Sequence, residues 1–178
     1  MRKAVAVQGK RGVRSARMMA KRVRMIAFDF DGVFTDNRVL VRQDGTESVL
    51  CSRADGFGLE AARRAGIRLL VISKEKNPVV DARCRKLGLP CIQGCDDKAE
   101  TLKSEAGRAG ISMEEIAYLG NDINDIECLR IVGLPACVAD AFPEVIEPSL
   151  HVTKTGGGHG AVREFCEFIV GSRTGTGR

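Results

Sequence analysis

The hydrophobic positions of this chain form short apolar runs that alternate with longer amphipathic segments. The apolar runs have the length of buried β-strands and lie at residues 25–28, 67–72, 89–92, 116–119, 135–138 and 150–152. The amphipathic segments have the length of helices and lie at residues 55–65, 77–87, 96–108, 122–131 and 161–170. Regular alternation of strands and helices predicts an α/β fold with a doubly wound, mostly parallel Rossmann-like sheet that helices cover on both faces.

Turn-forming and capping residues mark the ends of several of these elements. Asn77 and Pro78 are typical of a helix start, and Gly88 is typical of a helix end. After the first strand, alternating polar and apolar residues flank Asp44 and Gly45, which predicts a β-hairpin over residues 38–51. An inserted hairpin at this place would project over the carboxyl end of the first strand.

Polar side chains follow the predicted strands at their carboxyl ends, which is where α/β sheets bind their ligands. Asp29 and Asp31 follow the first strand, and Ser73 follows the second. Because side chains alternate along an extended chain, Asp29 and Asp31 should point to the same side. Two carboxylates this close repel each other unless a cation or a shared proton lies between them, and Mg²⁺ prefers such oxygen ligands.

A second group of acids, in the string G-N-D-I-N-D at residues 120–125, follows the fourth strand. A helix cap needs one polar side chain, so the surplus indicates cation ligands. Ser73 and Lys98 carry little information alone, because strands often end at a serine and a single lysine is usually solvated.

Composition describes a single domain with an aliphatic core. The chain has 178 residues, 44% of them hydrophobic, and no apolar run long enough to span a bilayer, so we expect no membrane partner. Its seven cysteines are irregularly spaced, which predicts reduced thiols in a cytoplasmic protein and no zinc site.

The net charge of +5 comes largely from residues 1–24, which contain nine basic residues and no acidic one. A nucleic-acid arm and a transit-like leader are possible interpretations, but a flexible tail is favoured. The rest of the chain is mildly acidic, so we expect no nucleic-acid partner. The predicted organisation is a tail over residues 1–24, one domain over 25–170 and a second tail over 171–178.

The string D-x-D-G-V-x-T-D, from Asp29 to Asp36, resembles the first motif of the haloacid dehalogenase superfamily of phosphotransferases. The chain-wide order of acid pair, hydroxyl, lysine and acid cluster matches the four motifs of that family, and the resemblance covers residues 25 to about 168. It implies that Asp29 attacks phosphorus to give an aspartyl phosphate and that Asp31 is the general acid and base. It also implies that Ser73 and Lys98 hold the transferring phosphoryl group.

The same resemblance implies a magnesium cofactor. Asp29, Asp122 and the carbonyl group of Asp31 would bind the ion, while Asn121 and Asp125 would support the site. Receiver domains of signalling proteins use similar side chains, but their phosphate-accepting aspartate lies on a different strand from their acid pair. Here the candidate nucleophile lies within the pair itself, which favours an enzyme.

The spacing between motifs leaves no room for the cap domain that most family members carry. The chain therefore resembles the capless phosphatases of 2-keto-3-deoxy sugar acids, which are homotetramers in which a neighbouring subunit closes each site. The glycine-rich string G-G-G-H-G-A-V-R at residues 156–163 supports this assignment. In that subfamily the segment reaches toward a neighbour's active site, which would bring Arg163 near the substrate.

Two branches of the subfamily differ after the second strand. The string S-K-E-K at residues 73–76 is closer to the pattern of the branch that acts on nonulosonate 9-phosphates, such as those of 2-keto-3-deoxy-nononate and N-acetylneuraminate. Glu75, Arg83 and Lys86 match specificity residues of this branch, so we predict a nonulosonate 9-phosphate as the substrate. The alternative substrate is 3-deoxy-D-manno-octulosonate 8-phosphate. A non-catalytic assembly domain, as in animal sialic-acid cytidylyltransferases, is disfavoured because Asp29 and Asp31 are both present.

Overall fold

A computed structural model describes residues 10–175. Its strands, in chain order, are β1 (Met25–Phe28), β2 (Leu40–Val41), β3 (Glu47–Ser48), β4 (Arg68–Ile72), β5 (Cys91–Ile92), β6 (Ile116–Gly120), β7 (Leu134–Cys137) and β8 (His151–Val152). Its α-helices are α1 (Lys10–Ala20), α2 (Asp55–Arg64), α3 (Pro78–Leu87), α4 (Lys98–Ala109), α5 (Ile126–Ile131), α6 (Pro143–Ile146) and α7 (Ala161–Thr174). Two 3₁₀ turns, Met113–Glu115 and Ile123–Asp125, precede β6 and α5.

Six of the strands form one sheet in the order β5-β4-β1-β6-β7-β8, and every pairing in it is parallel. All residues of β1, β6 and β7 are buried, as expected for strands that helices cover on both faces. The α/β prediction is confirmed. The chain moves outward from β1 to β4 and β5, then returns to the other side of β1 at β6. This reversal creates a crevice beyond the carboxyl ends of β1, β4 and β6, where ligands bind in such sheets.

The helices pack in two groups. Helices α1 and α2 each contact α7, and α4 contacts α5. The approach of α2 to α7 depends on Gly58, because a Cβ atom there would lie 2.5 Å from the Cα of Arg163. The Asp55 side chain joins the same two helices: it begins α2 and its Oδ1 accepts the backbone N–H of Arg163 in the first turn of α7, at 3.2 Å. Asp55 thus acts as a cap for α7, although its position predicts a cap for its own helix.

The predicted hairpin is present as the antiparallel pair β2 and β3, followed by a bridge between Thr35 and Cys51. Its paired strands are only two residues long each. Leu40, Val41 and Leu50 are more than half exposed, at 64%, 59% and 78%. Within one chain, these apolar side chains of the hairpin are therefore largely uncovered.

The described parts of both predicted tails contain helix. Residues 10–20 form α1, and Ala16, Ala20 and Val23 are buried at spacings of four and three residues, which makes one apolar face. The basic charge of the segment masked this periodicity. At the other end, α7 continues to Thr174 and buries Ser172. Residues 1–9 and 176–178 lie outside the described part of the chain.

Two further differences concern segments near the crevice. The predicted helix 122–131 is divided into the 3₁₀ turn Ile123–Asp125 and α5, because Asp122 and Asp125 form a capping box within the turn. Helix α6 was not predicted, since four residues are too few for a periodic signal. No helix within residues 10–175 is long and apolar enough to cross a membrane.

Candidate active site

The floor of the crevice is a buried chain of charges. Lys98, in the first turn of α4, places its Nζ 2.8 Å from Asp29 Oδ1 and 2.8 Å from Asp125 Oδ1. The three residues are 3%, 5% and 0% exposed, so solvent hardly screens these contacts. Phe30 lies in the core between Asp29 and Asp31, so both acids face the crevice, as side-chain alternation predicted.

Asp125 uses both of its carboxylate oxygens within the protein. Oδ1 accepts hydrogen bonds from Lys98 and from the Tyr118 hydroxyl at 2.7 Å. Oδ2 accepts the backbone N–H groups of Asn121 at 2.9 Å and of Asp122 at 3.3 Å. Gly120 leaves space for this carboxylate, because a Cβ there would lie 2.5 Å from Oδ2. Asp125 therefore fixes both the lysine and the backbone of the loop after β6.

Burial makes the Asp29 carboxylate unusually basic. Desolvation and the nearby negative charge of Asp125 raise the pKa of Asp29 to about 7, although Lys98 and the Phe30 N–H act in the opposite direction. A carboxylate that is this costly to ionise is one that a bound cation would stabilise strongly.

Asp31 lies at the same side of the crevice but in a different environment. Burial first, and then the negative charge of Glu75, raise the pKa of Asp31 above its ordinary value. Lys98 opposes this shift and Glu47, from the hairpin, adds to it. A raised pKa favours the protonated form, which is the form that can donate a proton to a leaving group.

Ser73 ends β4 beside these acids and is 1% exposed. Its Oγ accepts the backbone N–H of Glu75 at 3.1 Å, which leaves the hydroxyl proton available for another acceptor. The backbone of the serine is fixed from the neighbouring strand, because its N–H donates to Ile92 and its carbonyl accepts from Cys95. The hydroxyl is therefore held rigidly at the carboxyl edge of the sheet.

A cavity of about 190 Å³ opens above this floor. Nine residues line it: Asp29, Asp31, Asn37, Ser73, Lys74, Glu75, Asn121, Asp122 and Asn124. Of the predicted site residues, the structure brings Asp29, Asp31, Ser73, Glu75, Asn121 and Asp122 together around it. Lys98 and Asp125 lie directly beneath.

The donor set at this cavity fits a hard divalent cation. Asn121 Oδ1 is buried without a hydrogen-bond partner, and the carboxylates of Asp29 and Asp122 line the same space. Within residues 10–175, no three side chains of His, Cys, Asp or Glu converge closely enough to hold a metal by themselves. A bound ion would therefore need main-chain or water oxygens as well, and Mg²⁺ commonly retains several waters.

The glycine-rich segment lies against the acid motif of its own chain. A Cβ at Gly157 would lie 2.0 Å from the Gly32 carbonyl oxygen, and the Gly158 N–H donates to the carbonyl of Val33 at 3.1 Å. Asp140 holds the segment by accepting the Gly157 N–H at 2.9 Å. In this chain the segment thus supports the turn that follows Asp31, and its reach toward a neighbour stays a prediction.

Three predicted substrate-binding residues lie away from the cavity lining. Arg83 donates to the backbone carbonyl of Ser52 at 2.8 Å, and its Nε is buried without a partner. Lys86 is exposed on α3. Arg163 is exposed on α7, where it pairs with Glu167 at 2.7 Å and lies over the Phe57 ring. Sequence spacing placed these cations on helix faces but could not show where those faces point.

Three lining residues were not predicted. Asn37 follows the acid motif with a φ of 62°, a left-handed conformation that asparagine tolerates, and Asn124 belongs to the acid cluster. Lys74 directly follows Ser73, and this adjacency is the sequence signal that marks it.

Comparison with known proteins places this fold and site in one family. A model of haloacid dehalogenase-like hydrolases matches residues 92–165. The 3-deoxy-D-manno-octulosonate 8-phosphate phosphatase KdsC of Escherichia coli is 34% identical over 159 residues, which are 88% of this chain and 85% of that protein.

Solved structures agree with this placement. A HAD family hydrolase from Streptomyces avermitilis is 43% identical with a TM-score of 0.83, covering 85% of this chain and 87% of the other. The Moraxella catarrhalis 3-deoxy-D-manno-octulosonate 8-phosphate phosphatase, solved with magnesium, phosphate and the octulosonate, is 33% identical with a TM-score of 0.87, covering 90% and 93%.

The chain belongs to the haloacid dehalogenase-like hydrolases. Within that family it falls among the capless sugar-acid phosphatases, and it is a phosphomonoester hydrolase. The same relatives support a divalent metal as its cofactor.

Proposed function

We propose that this enzyme hydrolyses the phosphate monoester of a 2-keto-3-deoxy sugar acid with the help of Mg²⁺. The observation that carries the proposal is the pairing of buried Asp29 with Lys98, at 2.8 Å, directly beneath a cavity that Asp31 and Ser73 also line. Lys98 holds the Asp29 carboxylate in place, and burial raises the pKa of Asp31, which favours its protonated form. Phosphoryl transfer through an aspartate needs an ionised nucleophile and a protonated acid.

In the first step, an Asp29 carboxylate oxygen attacks phosphorus and the bond from phosphorus to the sugar oxygen breaks. Asp31 donates its proton to that oxygen, which leaves as the sugar hydroxyl. Asp31, now a carboxylate, removes a proton from a water molecule that attacks the aspartyl phosphate. Inorganic phosphate leaves, and Asp29 is restored. Ser73 and Lys98 hold the phosphoryl oxygens during both steps.

Asp29, Asp122 and the Asp31 carbonyl would hold the magnesium, with Asn121 supporting them. The ion would neutralise phosphoryl oxygens that otherwise repel the attacking carboxylate. We expect full loss of activity in excess chelator and recovery with Mg²⁺. Asp122→Ala should raise the Mg²⁺ concentration needed for half-maximal activity, and Asp36→Ala, an acid near the cavity that does not line it, should not. Turnover that persists in chelator would contradict the metal requirement.

Two sugar acids are candidates. Curated relatives that act on 3-deoxy-D-manno-octulosonate 8-phosphate, 34% identical over most of the chain, support that substrate. A nonulosonate 9-phosphate is supported by Glu75, which lines the cavity next to Ser73. Glu75 Oε1 accepts the N–H groups of Lys76 and Asn77, so its second oxygen is left to accept a hydrogen bond from a sugar hydroxyl.

Phosphate release from the two compounds, measured side by side as kcat/KM, tests both candidates. The physiological class should exceed the other by at least about tenfold, because unpaired polar groups at a site discriminate strongly against a substrate that lacks their partners. Equal and very low turnover of both, with faster hydrolysis of p-nitrophenyl phosphate, would contradict the sugar-acid assignment.

We also infer a homotetramer in which the hairpins of residues 38–51 pack together. The exposed apolar side chains Leu40, Val41 and Leu50 support this, since a short ribbon is marginal unless another surface covers it. In such an assembly Arg83, Lys86 and Arg163 would contact substrate at a neighbouring site. Sedimentation should give a tetramer, and Leu50→Lys should dissociate it. An active monomer would exclude the assembly.

A further inference from the structure

Lys74 occupies a place at the cavity for which no role has been assigned. It follows Ser73 and lines the cavity, and its side chain is exposed. Within residues 10–175 its ammonium group has no ion pair and no hydrogen bond, whereas Lys98 is paired with Asp29 and Asp125. Among the cavity-lining residues that the structure describes, Lys74 is the one cation.

The charges around the cavity show why a free cation matters there. Asp29, Asp31, Glu75 and Asp122 line it with four carboxyl groups. The proposed substrate carries a phosphate at one end and a carboxylate at the other. A metal at the floor would offset charge on the phosphate, but it would leave the carboxylate facing acids at the mouth. Like charges at such short range raise the cost of binding unless a cation lies between them.

The size of the cavity determines which end of the substrate lies near Lys74. The phosphoryl group must reach Asp29, which is 5% exposed at the floor. A cavity of about 190 Å³ is smaller than the roughly 300–1,000 Å³ of sites that enclose a whole ligand. The rest of the sugar acid must therefore lie at the mouth, where the flexible stem of Lys74 can follow it.

We propose that Lys74 binds the carboxylate of the sugar acid and so selects acidic substrates over neutral phosphate esters. The proposal rests on the proposed function, which supplies the carboxylate. It places this contact in the chain's own cavity, whereas Arg83 and Lys86, the cations predicted as specificity residues, lie outside the lining.

The test compares Lys74→Gln with Lys76→Gln. Lys76 lies two residues further along, is exposed, and does not line the cavity, because its stem passes Gly94. The two variants lose the same charge from the same loop, so a long-range electrostatic effect would appear in both. Neither side chain is buried, so both proteins should fold.

In the Lys74→Gln enzyme we expect KM for the preferred sugar-acid phosphate to rise about tenfold, the effect of one partly solvated charge-assisted contact, with kcat nearly unchanged. p-Nitrophenyl phosphate has no carboxylate, so its KM should change less than about twofold. The Lys76→Gln enzyme should match the unaltered enzyme on both. Equal losses on the two substrates, or equal behaviour of the two variants, would overturn the proposal.

A second measurement separates this proposal from the proposed function. The free acids 3-deoxy-D-manno-octulosonate and N-acetylneuraminate serve as inhibitors of p-nitrophenyl phosphate hydrolysis. At least one should inhibit the unaltered enzyme about tenfold more strongly than Lys74→Gln, because the carboxylate contact does not need the phosphate. If neither sugar-acid phosphate is hydrolysed but this inhibition is seen, the proposed reaction fails and the carboxylate site stands. Inhibition that is identical in both proteins, or absent, overturns the carboxylate site.

Discussion

The cavity floor and the layer where α7 packs against α2 and β8 both bury ionisable groups, but the surroundings of those groups differ. At the floor, Lys98 and Asp125 have partners for their charged atoms within the chain. In the other layer, Asp55 Oδ2 and His151 Nε2 are buried without a hydrogen-bond partner. Buried polar groups are costly unless they are satisfied. The floor therefore buries charged groups that have partners, whereas the helix layer buries one atom of Asp55 and one of His151 without a partner, at a cost in stability.

The largest effect should come from Asp29→Asn, which we expect to abolish phosphatase activity. An amide cannot form the acyl phosphate, and Lys98 retains Asp125 as a partner, so the protein should remain folded. Phosphate release and thermal unfolding should be measured together, with Asp44→Asn in the exposed hairpin turn as the control. Undiminished turnover by the Asp29→Asn enzyme would refute the proposed nucleophile.

Asp31→Asn should lower kcat by about 10²–10⁴-fold, the usual contribution of a general acid and base. Asp31 makes no ion pair within the described residues, so this change should hardly alter stability. The loss should be smaller for p-nitrophenyl phosphate, because its phenolate leaves readily without a proton. Identical losses on both substrates would indicate that Asp31 acts through the metal site and not as the acid.

Asp125→Asn tests whether the buried charges of the cavity floor depend on their hydrogen-bond partners. An amide can accept from Lys98 and Tyr118 with its oxygen, but its NH₂ group would then face the N–H groups of Asn121 and Asp122. Breaking a buried network of this kind typically costs roughly 3–5 kcal/mol. Denaturant unfolding measures this loss of stability.

The control for Asp125→Asn is Asp81→Asn, which removes a surface pair with Arg85 and should cost less than about 1 kcal/mol. A stable Asp125→Asn protein would mean that the floor tolerates unsatisfied donors, and the contrast between the two regions would be lost.

The sequence was informative about the floor because the relevant signals are local. Asp29, Ser73 and Asp122 each follow a strand closely, so a parallel sheet necessarily brings them to one edge. The order of the motifs then identified Lys98. A single lysine is usually solvated, but Lys98 is 3% exposed. Local patterns and a parallel sheet were enough to place these four residues.

The helix layer could not be predicted in the same way, because its contacts join distant parts of the chain. Asp55 bonds to Arg163 across 108 residues. Outside this layer, Arg83 bonds to Ser52 across 31 residues. The periodic pattern of apolar residues along the sequence does not reveal such long-range pairings. In residues 10–20, the basic charge dominated the interpretation although Ala16 and Ala20 already had helical spacing. A basic composition is typical of the exposed face of an amphipathic helix as well as of a flexible tail, so it does not distinguish the two.

The smallest effect concerns His151, which lies in β8 against the rings of Phe168 and Phe165, with centroids 4.0 and 5.6 Å away. Burial lowers the pKa of His151 from 6.5 to about 4, although the charge of Glu164 opposes the shift. Between these values the unfolded chain binds a proton that the folded chain does not. Stability should therefore fall as the pH is lowered from about 6.5 to 4, by up to roughly 3 kcal/mol from this group.

Asp55 contributes with the opposite sign. Burial raises the pKa of Asp55 to about 6, so the folded chain takes up a proton there before the unfolded chain does, and stability increases as the pH falls below that value.

The total pH profile of stability contains the contributions of both groups, so the contribution of His151 is obtained only from the difference between two proteins. His151→Phe keeps the aromatic contacts and removes the titration, whereas His159→Phe changes an exposed histidine in the same way. Between about pH 6.5 and 4, we expect the free energy of unfolding to fall less for His151→Phe than for the unaltered protein. The His159→Phe protein should show the same fall as the unaltered protein. Parallel curves for all three proteins would show that His151 finds a partner in solution and that the helix layer is as well satisfied as the floor.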